Sequence, residues 1–129
     1  MLTALSKKGW HCSSKKLFPN NFTAYKKACS LGTVTIGKMF VVEDISTLTG
    51  PKTIINFPTK TTWRMPSEYD YIKSGLNSLV EEIHHRKLKS VAIPALGAGN
   101  GGLDWSIIKH MIEERLRSLD VEVYVYQPL

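Results

Sequence analysis

Residues 91–105, with the sequence VAIPALGAGNGGLDW, decide the fold of this chain. The stretch opens with Val91–Leu96, a continuous apolar run typical of a strand that is buried on both faces of a sheet. Four glycines follow among the six residues of Gly97–Gly102, and Asp104, a residue type that caps helices, comes two residues later. A buried strand, a glycine loop and a helix in this order predict an α/β domain with a mostly parallel central sheet.

Apolar positions that recur at helical spacing predict a helix on either side of this segment. Asp104 is expected to cap the second helix, whose inward face consists of Ile107, Ile108, Met111, Ile112 and Leu116. Ser67 with Asp70 resembles a capping pattern and opens the first helix, which runs to about Arg86. Its apolar stripe consists of Ile72, Leu76, Leu79, Val80 and Ile83. Val121–Tyr126 is predicted to be the closing strand.

The first half of the chain predicts two short helical pieces followed by two strands. Helical spacing runs through residues 14–29 and is interrupted at Pro19. Asn20 or Asn21 is therefore expected to cap the second helical piece, and Gly32 to end it. The β-rich segments are Met39–Val42 and Thr53–Phe57, and the loop between them contains Gly50-Pro51.

Composition indicates one soluble globular domain over residues 1–129, because 43% of the residues are hydrophobic and 22% are charged. These values exclude a disordered chain, a collagen-like fibre and a coiled coil. No apolar run approaches the roughly 18 residues of a membrane-spanning helix, and Met1–Trp10 lacks the apolar core of a secretory signal. Cys12 and Cys29 lack CxxC spacing, which favours a reducing cytoplasm. His11, His110 and the cysteines lack zinc spacing, so no metal site is expected.

Positive charge is concentrated in the first half of the chain. Residues 1–64 contain ten Lys and Arg against two Asp and Glu, whereas residues 65–129 contain seven against nine. The first half therefore has a net charge of +8 and the second half of −2, which together give the +6 of the whole chain. Such asymmetry favours a partner that carries phosphate, such as a nucleic acid. A lysine-rich solvated surface is the alternative.

The glycine loop predicts a binding site for a phosphate group. Its backbone can approach a ligand closely, and its amides can converge on an anion beside the N-terminus of the following helix. Residues 97–102 match GxGxxG, but the loop lies late in the chain and Asp120 stands at the start of the next strand, which excludes a Rossmann dehydrogenase. No Gly-Lys-Ser or Gly-Lys-Thr follows the glycines, which excludes a kinase-type P-loop. A flexible turn without a ligand is the alternative.

A second candidate segment is INFPTK, at the end of the strand that begins near Thr53. Thr59 and Lys60 follow Pro58 and are expected to emerge at the carboxyl edge of the sheet, where the glycine loop also lies. Lys60 can bind phosphate or, with a lowered pKa, act as a nucleophilic amine. A solvated surface lysine is the alternative. Trp63 can stack on a base or a sugar, and a packed loop aromatic is its alternative.

Three segments together resemble the macrodomain family of ADP-ribose-binding, Appr-1-p-processing proteins: LFPNNFTAYKKAC at 17–29, INFPTK at 55–60 and IPALGAGNGGLDW at 93–105. The resemblance runs from about residue 15 to residue 129, and the pattern is similar to the DarG-antitoxin branch, with the terminal ADP-ribose glycohydrolases as relatives. It implies a three-layer α/β/α sandwich that binds ADP-ribose as its ligand and needs no cofactor. It also implies removal of ADP-ribose from thymidine in DNA or, in the relatives, from acidic side chains.

The resemblance implies roles for individual residues. Lys60 matches the lysine that acts at the anomeric carbon of the distal ribose, and Thr59 stands beside it. The residues that match the loop around the diphosphate and distal ribose are Pro94, Ala95, Leu96, Gly97, Ala98, Gly99, Asn100, Gly101 and Gly102. Tyr126 falls where the family packs the adenine, and Trp63 and Arg64 are expected to contact the substrate. Gly101 stands where the terminal glycohydrolases have an Asp, so a Lys–Asp pair is not expected.

The start of the chain departs from the family pattern. Macrodomains begin with a strand that carries Gly-Asp and with a central strand that leads into an Asn-containing loop, and this chain is expected to lack both. Where the family has a segment such as Gly-Ile-Ala before Lys-Lys, this chain has Gly9–Ser14 before Lys15-Lys16. Codons for Trp10-His11-Cys12, read one base later, give Gly, then Ile or Thr, then Ala or Val. We therefore hypothesise that residues 1–14 are out of frame, and we expect an open position at the centre of the sheet.

Three functions follow from the sequence. The first is an ADP-ribosyl hydrolase of the DarG-like type, an enzyme that depends on a lysine and acts on modified DNA or protein. Its implied partner is an ADP-ribosyltransferase toxin, and the basic first half suits DNA. The second function is an ADP-ribose-binding module without turnover. The third is a small basic nucleic-acid-binding protein that does not bind ADP-ribose.

Overall fold

The computed structural model describes residues 2–6, 18–46, 50–59, 68–96 and 102–126. Strands and helices alternate through these ranges, which confirms the predicted α/β class. In chain order they are β1 (Leu2–Ser6), α1 (Pro19–Ser30), β2 (Phe40–Ser46), β3 (Gly50–Phe57), α2 (Tyr69–Arg86), β4 (Ser90–Ile93), α3 (Trp105–Leu116) and β5 (Glu122–Val125). No helix within the described ranges is long and apolar enough to cross a membrane.

The strands form one sheet in the order β2-β3-β1-β4-β5. β1 pairs in parallel with both β3 and β4, and β4 pairs in parallel with β5. β2 runs antiparallel to β3, with Phe40 opposite Asn56 and Asp44 opposite Lys52. The four parallel strands therefore all end at one edge of the sheet, which we call the carboxyl edge, and β2 begins there.

Helices cover both faces of the sheet, as the three-layer prediction requires. Successive residues of a strand point to opposite faces. Phe57 of β3 packs into the core beneath α2 and α3, whereas the neighbouring Asn56 hydrogen-bonds to Asn21 of α1. On the α1 face the ring of Tyr25 contacts the ring of Phe40, with centroids 5.8 Å apart, and burial raises the pKa of the Tyr25 phenol. α1 therefore lies on one face, and α2 and α3 lie on the other.

The main core fills the space between the sheet and the α2–α3 layer, and each fully buried side chain in it contributes about 1.5–3 kcal/mol. It consists of Ile55, Phe57, Ile72, Leu76, Leu79, Val80, Ile83, Val91, Ile93, Leu96, Ile108, Ile112 and Leu116. The predicted stripe of α2 is thus confirmed. The predicted inward face of α3 is wrong at Ile107, which is 45% exposed, and Met111 is half-buried. α3 packs through Ile108, Ile112 and Leu116, which share one face, and Ile107 lies about 100° around the helix from Ile108 on the solvent side.

The centre of the sheet is occupied, and the expectation of an open position there is wrong. Leu2–Ser6 forms β1, which lies between β3 and β4. Leu2 is opposite Thr53 on one side and Val91 on the other. Five residues of extended backbone are enough to fill this position, because each neighbouring strand can hydrogen-bond to main-chain groups whatever the side chains are. The rest of the atypical segment, residues 7–14, lies outside the described residues.

The N-terminus of α1 is capped by a residue of strand β2. The helix begins at Pro19, so Asn20 and Asn21 lie inside its first turn and the prediction that one of them caps it is wrong. The carboxylate of Asp44, on β2, accepts hydrogen bonds from the Asn21 backbone N–H at 2.8 Å and from Asn20 Nδ2 at 2.9 Å. A carboxylate at this position satisfies a free N–H group and interacts favourably with the helix dipole. The helix ends at Ser30, before Gly32 at φ +73°, as predicted.

Several predicted boundaries shift by a few residues. Gly50-Pro51 begins β3 instead of forming a loop, and Pro51 is tolerated because β1 pairs with β3 only from Thr53 onward. Residue 68 is the N-cap of α2, and Ser67 lies outside the described residues. The strand predicted over Val91–Leu96 covers Ser90–Ile93, because Pro94 cannot donate to the ladder. The closing strand ends at residue 125, one residue before Tyr126.

Candidate functional site

The two segments that the sequence singles out meet at the carboxyl edge. β3 and β4 flank β1, and Pro58-Thr59 and Pro94 follow their last residues. Tyr126 joins the same edge, because its backbone N–H donates to the Ile93 carbonyl oxygen at 3.0 Å. Ligands of parallel α/β sheets bind at such strand ends. Thr59, Pro94–Leu96 and Tyr126 therefore lie where a ligand-binding edge is expected.

Part of the predicted site lies outside the described residues. These residues are Lys60, Trp63, Arg64, Gly97, Ala98, Gly99, Asn100 and Gly101. The residues on both sides of each of these segments are nevertheless described. Lys60 follows Thr59 directly, and the glycine loop connects Leu96 to Gly102. The two candidate segments therefore begin two strand positions apart, or about 10 Å, at one edge of the sheet.

Thr59 and Leu96 anchor the two segments in the protein interior. The side chain of Thr59 is 2% exposed, and Leu96 is fully buried in the main core. The Leu96 N–H donates to the Pro94 carbonyl oxygen at 2.8 Å, which closes a tight turn after β4. The side chains of both residues therefore expose little surface to a ligand. Both residues hold the start of a neighbouring segment in place.

Two helix N-termini converge on the carboxyl edge. Asp104 caps α3 as predicted: its Oδ1 accepts hydrogen bonds from Ser106 Oγ at 2.6 Å and from the Ser106 N–H at 2.8 Å. These hydrogen bonds hold the pKa of Asp104 below its usual value. The Asp104 N–H donates to Tyr69 Oη at 3.1 Å, and Tyr69 is the first residue of α2. The N-termini of both helices, with the positive ends of their dipoles, therefore lie close together near Gly102 and Asp104, and a positive helix end favours an anionic ligand.

Gly102 ends the glycine loop in a conformation that suits glycine. Its φ angle is +80°, in the left-handed region that other residues rarely adopt. An added Cβ at this position would meet no heavy atom within 4 Å, so backbone conformation is the reason for glycine here, and not crowding. The chain turns at Gly102 directly into the Asp104 cap of α3. This geometry agrees with the predicted strand–glycine loop–helix unit.

A buried polar cluster behind the end of β3 was not predicted from the sequence. Asn21 and Asn56 are fully buried and form a reciprocal amide pair, with Nδ2–Oδ1 distances of 3.2 and 2.9 Å. Asn56 Nδ2 also donates to the Phe40 carbonyl oxygen at 2.9 Å. Asp44 extends the cluster to α1, as described above. Because buried amides are costly when unpaired, these hydrogen bonds fix α1, β2 and β3 relative to one another, four residues before Lys60.

The outer strand β5 presents two aromatic rings to solvent. Tyr124 is 44% exposed and Tyr126 is 57% exposed, and they point to the same face because they are two residues apart. The Tyr124 hydroxyl donates to Glu122 Oε2 at 3.0 Å, and this hydrogen bond raises the pKa of the Tyr124 phenol. Tyr126 is the ring nearer the carboxyl edge. Its open aromatic surface can stack on a base.

The described part of the edge has the chemistry of an anion site. The α3 N-terminus supplies the positive end of a helix dipole, and the exposed ring of Tyr126 supplies a stacking surface. Within the described residues, no three His, Cys, Asp or Glu side chains lie close enough together to hold a metal ion. The arrangement suits a ligand that carries both an anionic group and an aromatic ring.

Comparison with known proteins places these features in one family. The family model described as Macro domain matches residues 11–112. A Mycobacterium tuberculosis protein named DNA ADP-ribosyl glycohydrolase is 50% identical over 122 residues, which cover 94% of this chain and 34% of that protein. A Thermosipho africanus protein named DNA ADP-ribosyl transferase-DNA ADP-ribosyl glycohydrolase fusion protein is 35% identical over 136 residues, 95% of this chain and 35% of that protein. The chain thus spans about a third of the length of these curated relatives.

Solved structures agree with the sequence matches. The macrodomain of Mycobacterium tuberculosis DarG has a TM-score of 0.86 and 41% identity, and the match covers 99% of this chain and 88% of that one. Thermosipho africanus DarTG in complex with ADP-ribose has a TM-score of 0.87 and 32% identity, with 99% of this chain and 38% of that one covered. The predicted fold and the structural matches therefore coincide.

Proposed function

The chain belongs to the Macro domain family, and from this premise we propose that it is an ADP-ribosyl hydrolase that removes ADP-ribose from modified DNA. The observation that carries the proposal is the convergence of β3, β4 and the α3 N-terminus at one edge of the sheet. The names of its relatives support DNA as the substrate, and the ADP-ribose bound to the Thermosipho africanus protein supports the ligand. No cofactor is needed for this reaction.

In the proposed complex the ADP-ribose lies along the carboxyl edge. The backbone of the glycine loop, Gly97 to Gly102, binds the diphosphate and the distal ribose, helped by the α3 N-terminus, and Pro94–Leu96 position the start of that loop. Each amide hydrogen bond to a charged oxygen contributes on the order of 1.5–3 kcal/mol. Tyr126 stacks on the adenine, whose aromatic surface matches its exposed ring. Trp63 and Arg64 contact the substrate beside Lys60.

Lys60 is the proposed nucleophile. Its neutral amine attacks the anomeric carbon of the distal ribose, and the bond between that carbon and the base nitrogen breaks. The electron pair goes to the base, which takes up the proton that the attacking amine releases. Water then cleaves the lysine adduct, which yields ADP-ribose and restores the amine. Two easier steps thereby replace one difficult displacement.

The relatives also support a partner and a location as part of the proposal. One relative is named as a fusion of a DNA ADP-ribosyl transferase with a DNA ADP-ribosyl glycohydrolase, so we propose an ADP-ribosyltransferase toxin as the partner of this chain. A toxin that modifies DNA acts where DNA is accessible. We therefore propose the bacterial cytoplasm as the location, in agreement with cysteine usage.

A hydrolysis assay tests the proposed function. The wild-type chain is incubated with a single-stranded oligonucleotide that carries ADP-ribosylated thymidine, and mass spectrometry follows the loss of ADP-ribose from the oligonucleotide. We expect free ADP-ribose and an intact, unmodified oligonucleotide in equal amounts. Binding of the modified oligonucleotide without release would instead support the ADP-ribose-binding module. Equal affinity for modified and unmodified oligonucleotides, again without release, would support the nucleic-acid-binding protein.

A further inference from the structure

Charge is distributed unequally between the two helical layers. α1 carries Lys26 and Lys27 and no Asp or Glu. α2 and α3 carry both signs and form ion pairs, such as Arg86–Glu82 at 2.9 Å and Lys109–Glu113 at 3.8 Å. Lysines of α1 therefore have no carboxylate on their own helix to neutralise them, whereas the other layer is partly self-neutralised.

The two acidic residues of the first half are already engaged elsewhere. Glu43 accepts a hydrogen bond from Thr53 Oγ1 at 2.8 Å and pairs with Arg86 at 3.4 Å. Asp44 is 4% exposed, and its oxygens accept hydrogen bonds from the backbone N–H groups of Asn21 and Ile45. Neither carboxylate is free to balance the lysines around α1. Among the described residues, Lys26, Lys27 and Lys38 are therefore not neutralised by a carboxylate of the same half.

Three of these lysines lie at one corner of the fold. Tyr25 contacts Phe40, so the turn of α1 that carries Lys26 and Lys27 packs beside the start of β2, which Lys38 precedes by two residues. All three lysines are exposed. We call Lys26, Lys27 and Lys38 the corner lysines. They form a positive surface with an apolar contact beneath it.

The corner adjoins the proposed reaction site. Phe40 is opposite Asn56 in the sheet, and the two strands lie about 5 Å apart. Lys38 lies beyond Phe40 and Thr59 lies beyond Asn56, so both chain segments leave the sheet at the carboxyl edge. β5 and Tyr126 lie on the opposite side of β3, three strand positions away. A ligand that runs from Tyr126 to Lys60 therefore points its far end toward the corner lysines.

We propose that the corner lysines bind the phosphates of the DNA strand that flanks the modified nucleotide. This inference rests on the proposed function, because it assigns the substrate strand a path away from Lys60. Lysine ammonium groups are suited to phosphates as mobile point charges. A strand with unstacked bases is favoured over a duplex, because chemistry on a base requires access to it. The surface binds the flanking strand without reading its sequence.

Salt dependence of DNA binding tests this inference. The probe is an unmodified, fluorescently labelled thymidine oligonucleotide of about 15 nucleotides, titrated with protein at several salt concentrations. The triple variant Lys26→Gln, Lys27→Gln, Lys38→Gln is compared with the matched control Lys73→Gln, Lys87→Gln, Lys89→Gln, which removes the same charge from α2 and from the segment between α2 and β4. For the triple variant we expect the slope of log K against log salt to fall by about 2, at roughly 0.7 per lost phosphate contact.

The affinity and the kinetics give a second readout. At ~0.1 M salt the dissociation constant of the triple variant is expected to rise roughly tenfold or more, and that of the control by less than about twofold. With modified oligonucleotide the triple variant is expected to show a higher KM and an unchanged kcat, since the reacting groups are intact. Thermal unfolding checks that both variants fold. If the corner lysines do not bind DNA, the triple variant will have the same KM as the wild type.

The possible failures are distinguishable. Equal slopes and equal KM values for the triple variant and the control would overturn this inference and leave the proposed hydrolysis standing, provided that the wild type releases ADP-ribose. A wild type that releases no ADP-ribose would overturn the proposed function, whatever the slopes. A wild type that does not bind the oligonucleotide at any salt concentration would also overturn the inference.

Discussion

Replacing Lys60 with alanine is expected to lower the rate of ADP-ribose release from modified DNA by on the order of 10²–10⁴-fold, the range that one positioned catalytic group typically contributes. The proposed reason is that Lys60 supplies the attacking amine, so its loss removes the covalent route. Binding of free ADP-ribose is expected to stay within about threefold of the wild type, because the glycine loop and Tyr126 supply most of the proposed contacts. Single-turnover mass spectrometry and calorimetry measure the two quantities.

Two further variants separate chemistry from charge. Lys60→Arg keeps the positive charge but holds a proton far above neutral pH, so it is expected to be as slow as Lys60→Ala. Lys52→Ala removes a lysine near the start of β3, the strand that precedes Lys60, and is expected to keep the wild-type rate. A rate for Lys60→Arg near that of the wild type would contradict a nucleophilic role.

Replacing Gly75 with alanine is expected to destabilise the fold. Gly75 is buried on α2, and an added Cβ would overlap Cζ and Cε1 of Phe57 and lie 3.1 Å from Cε2. The ring of Phe57 is fully buried, so it cannot move into solvent. Overpacking of this kind costs about 1–3 kcal/mol, and the better helix propensity of alanine offsets up to about 1 kcal/mol. We therefore expect a net loss of roughly 1–2 kcal/mol.

Thermal unfolding followed by circular dichroism measures this loss. The melting temperature of Gly75→Ala is expected to fall by roughly 3–10 °C. Phe57→Leu in the same background removes the overlapping ring atoms and is expected to cost less than the sum of the two single changes. Lys73→Ala, at an exposed position of the same helix, serves as the control and is expected to melt within about 1–2 °C of the wild type. A Gly75→Ala protein as stable as the wild type would show that the ring is free to move.

Local signals were sufficient where an element is specified by its own residues. The stripe of α2 is buried as its spacing predicts, and Asp104 caps α3 because an Asp side chain can reach the N–H two residues on. The end of α1 before Gly32 follows from the positive φ angle that glycine accepts. These features depend on interactions between residues only a few positions apart.

Features that depend on distant residues were missed. Asp44 caps α1 from another strand, and the sequence around Pro19 contains no sign of it. β1 fills the centre of the sheet, although Leu2–Ser6 has no marked strand pattern, because backbone pairing with two neighbours determines its place. Ile107 is exposed since packing selects one of two adjacent apolar residues. Tertiary context decided each of these cases.

The candidate site shows the same division. The residues of its two motifs, INFPTK and the glycine loop, could be proposed from the sequence because a strand end and a glycine loop have recognisable composition. The Asn21–Asn56 pair that supports the end of β3 could not, because each amide looks like an ordinary polar residue until its partner is known. A polar residue inside an otherwise apolar strand run was the available signal, and Asn56, between Ile55 and Phe57, is such a residue.

The central claim is that this edge of the sheet binds ADP-ribose, and calorimetric titration of the wild-type protein with free ADP-ribose tests it most directly. We expect saturable binding of about one ADP-ribose per chain, with a dissociation constant of about 100 µM or tighter. Ribose 5-phosphate, which lacks the adenine and the diphosphate, is expected to bind at least about tenfold more weakly. Absence of heat up to millimolar ADP-ribose would contradict the claim.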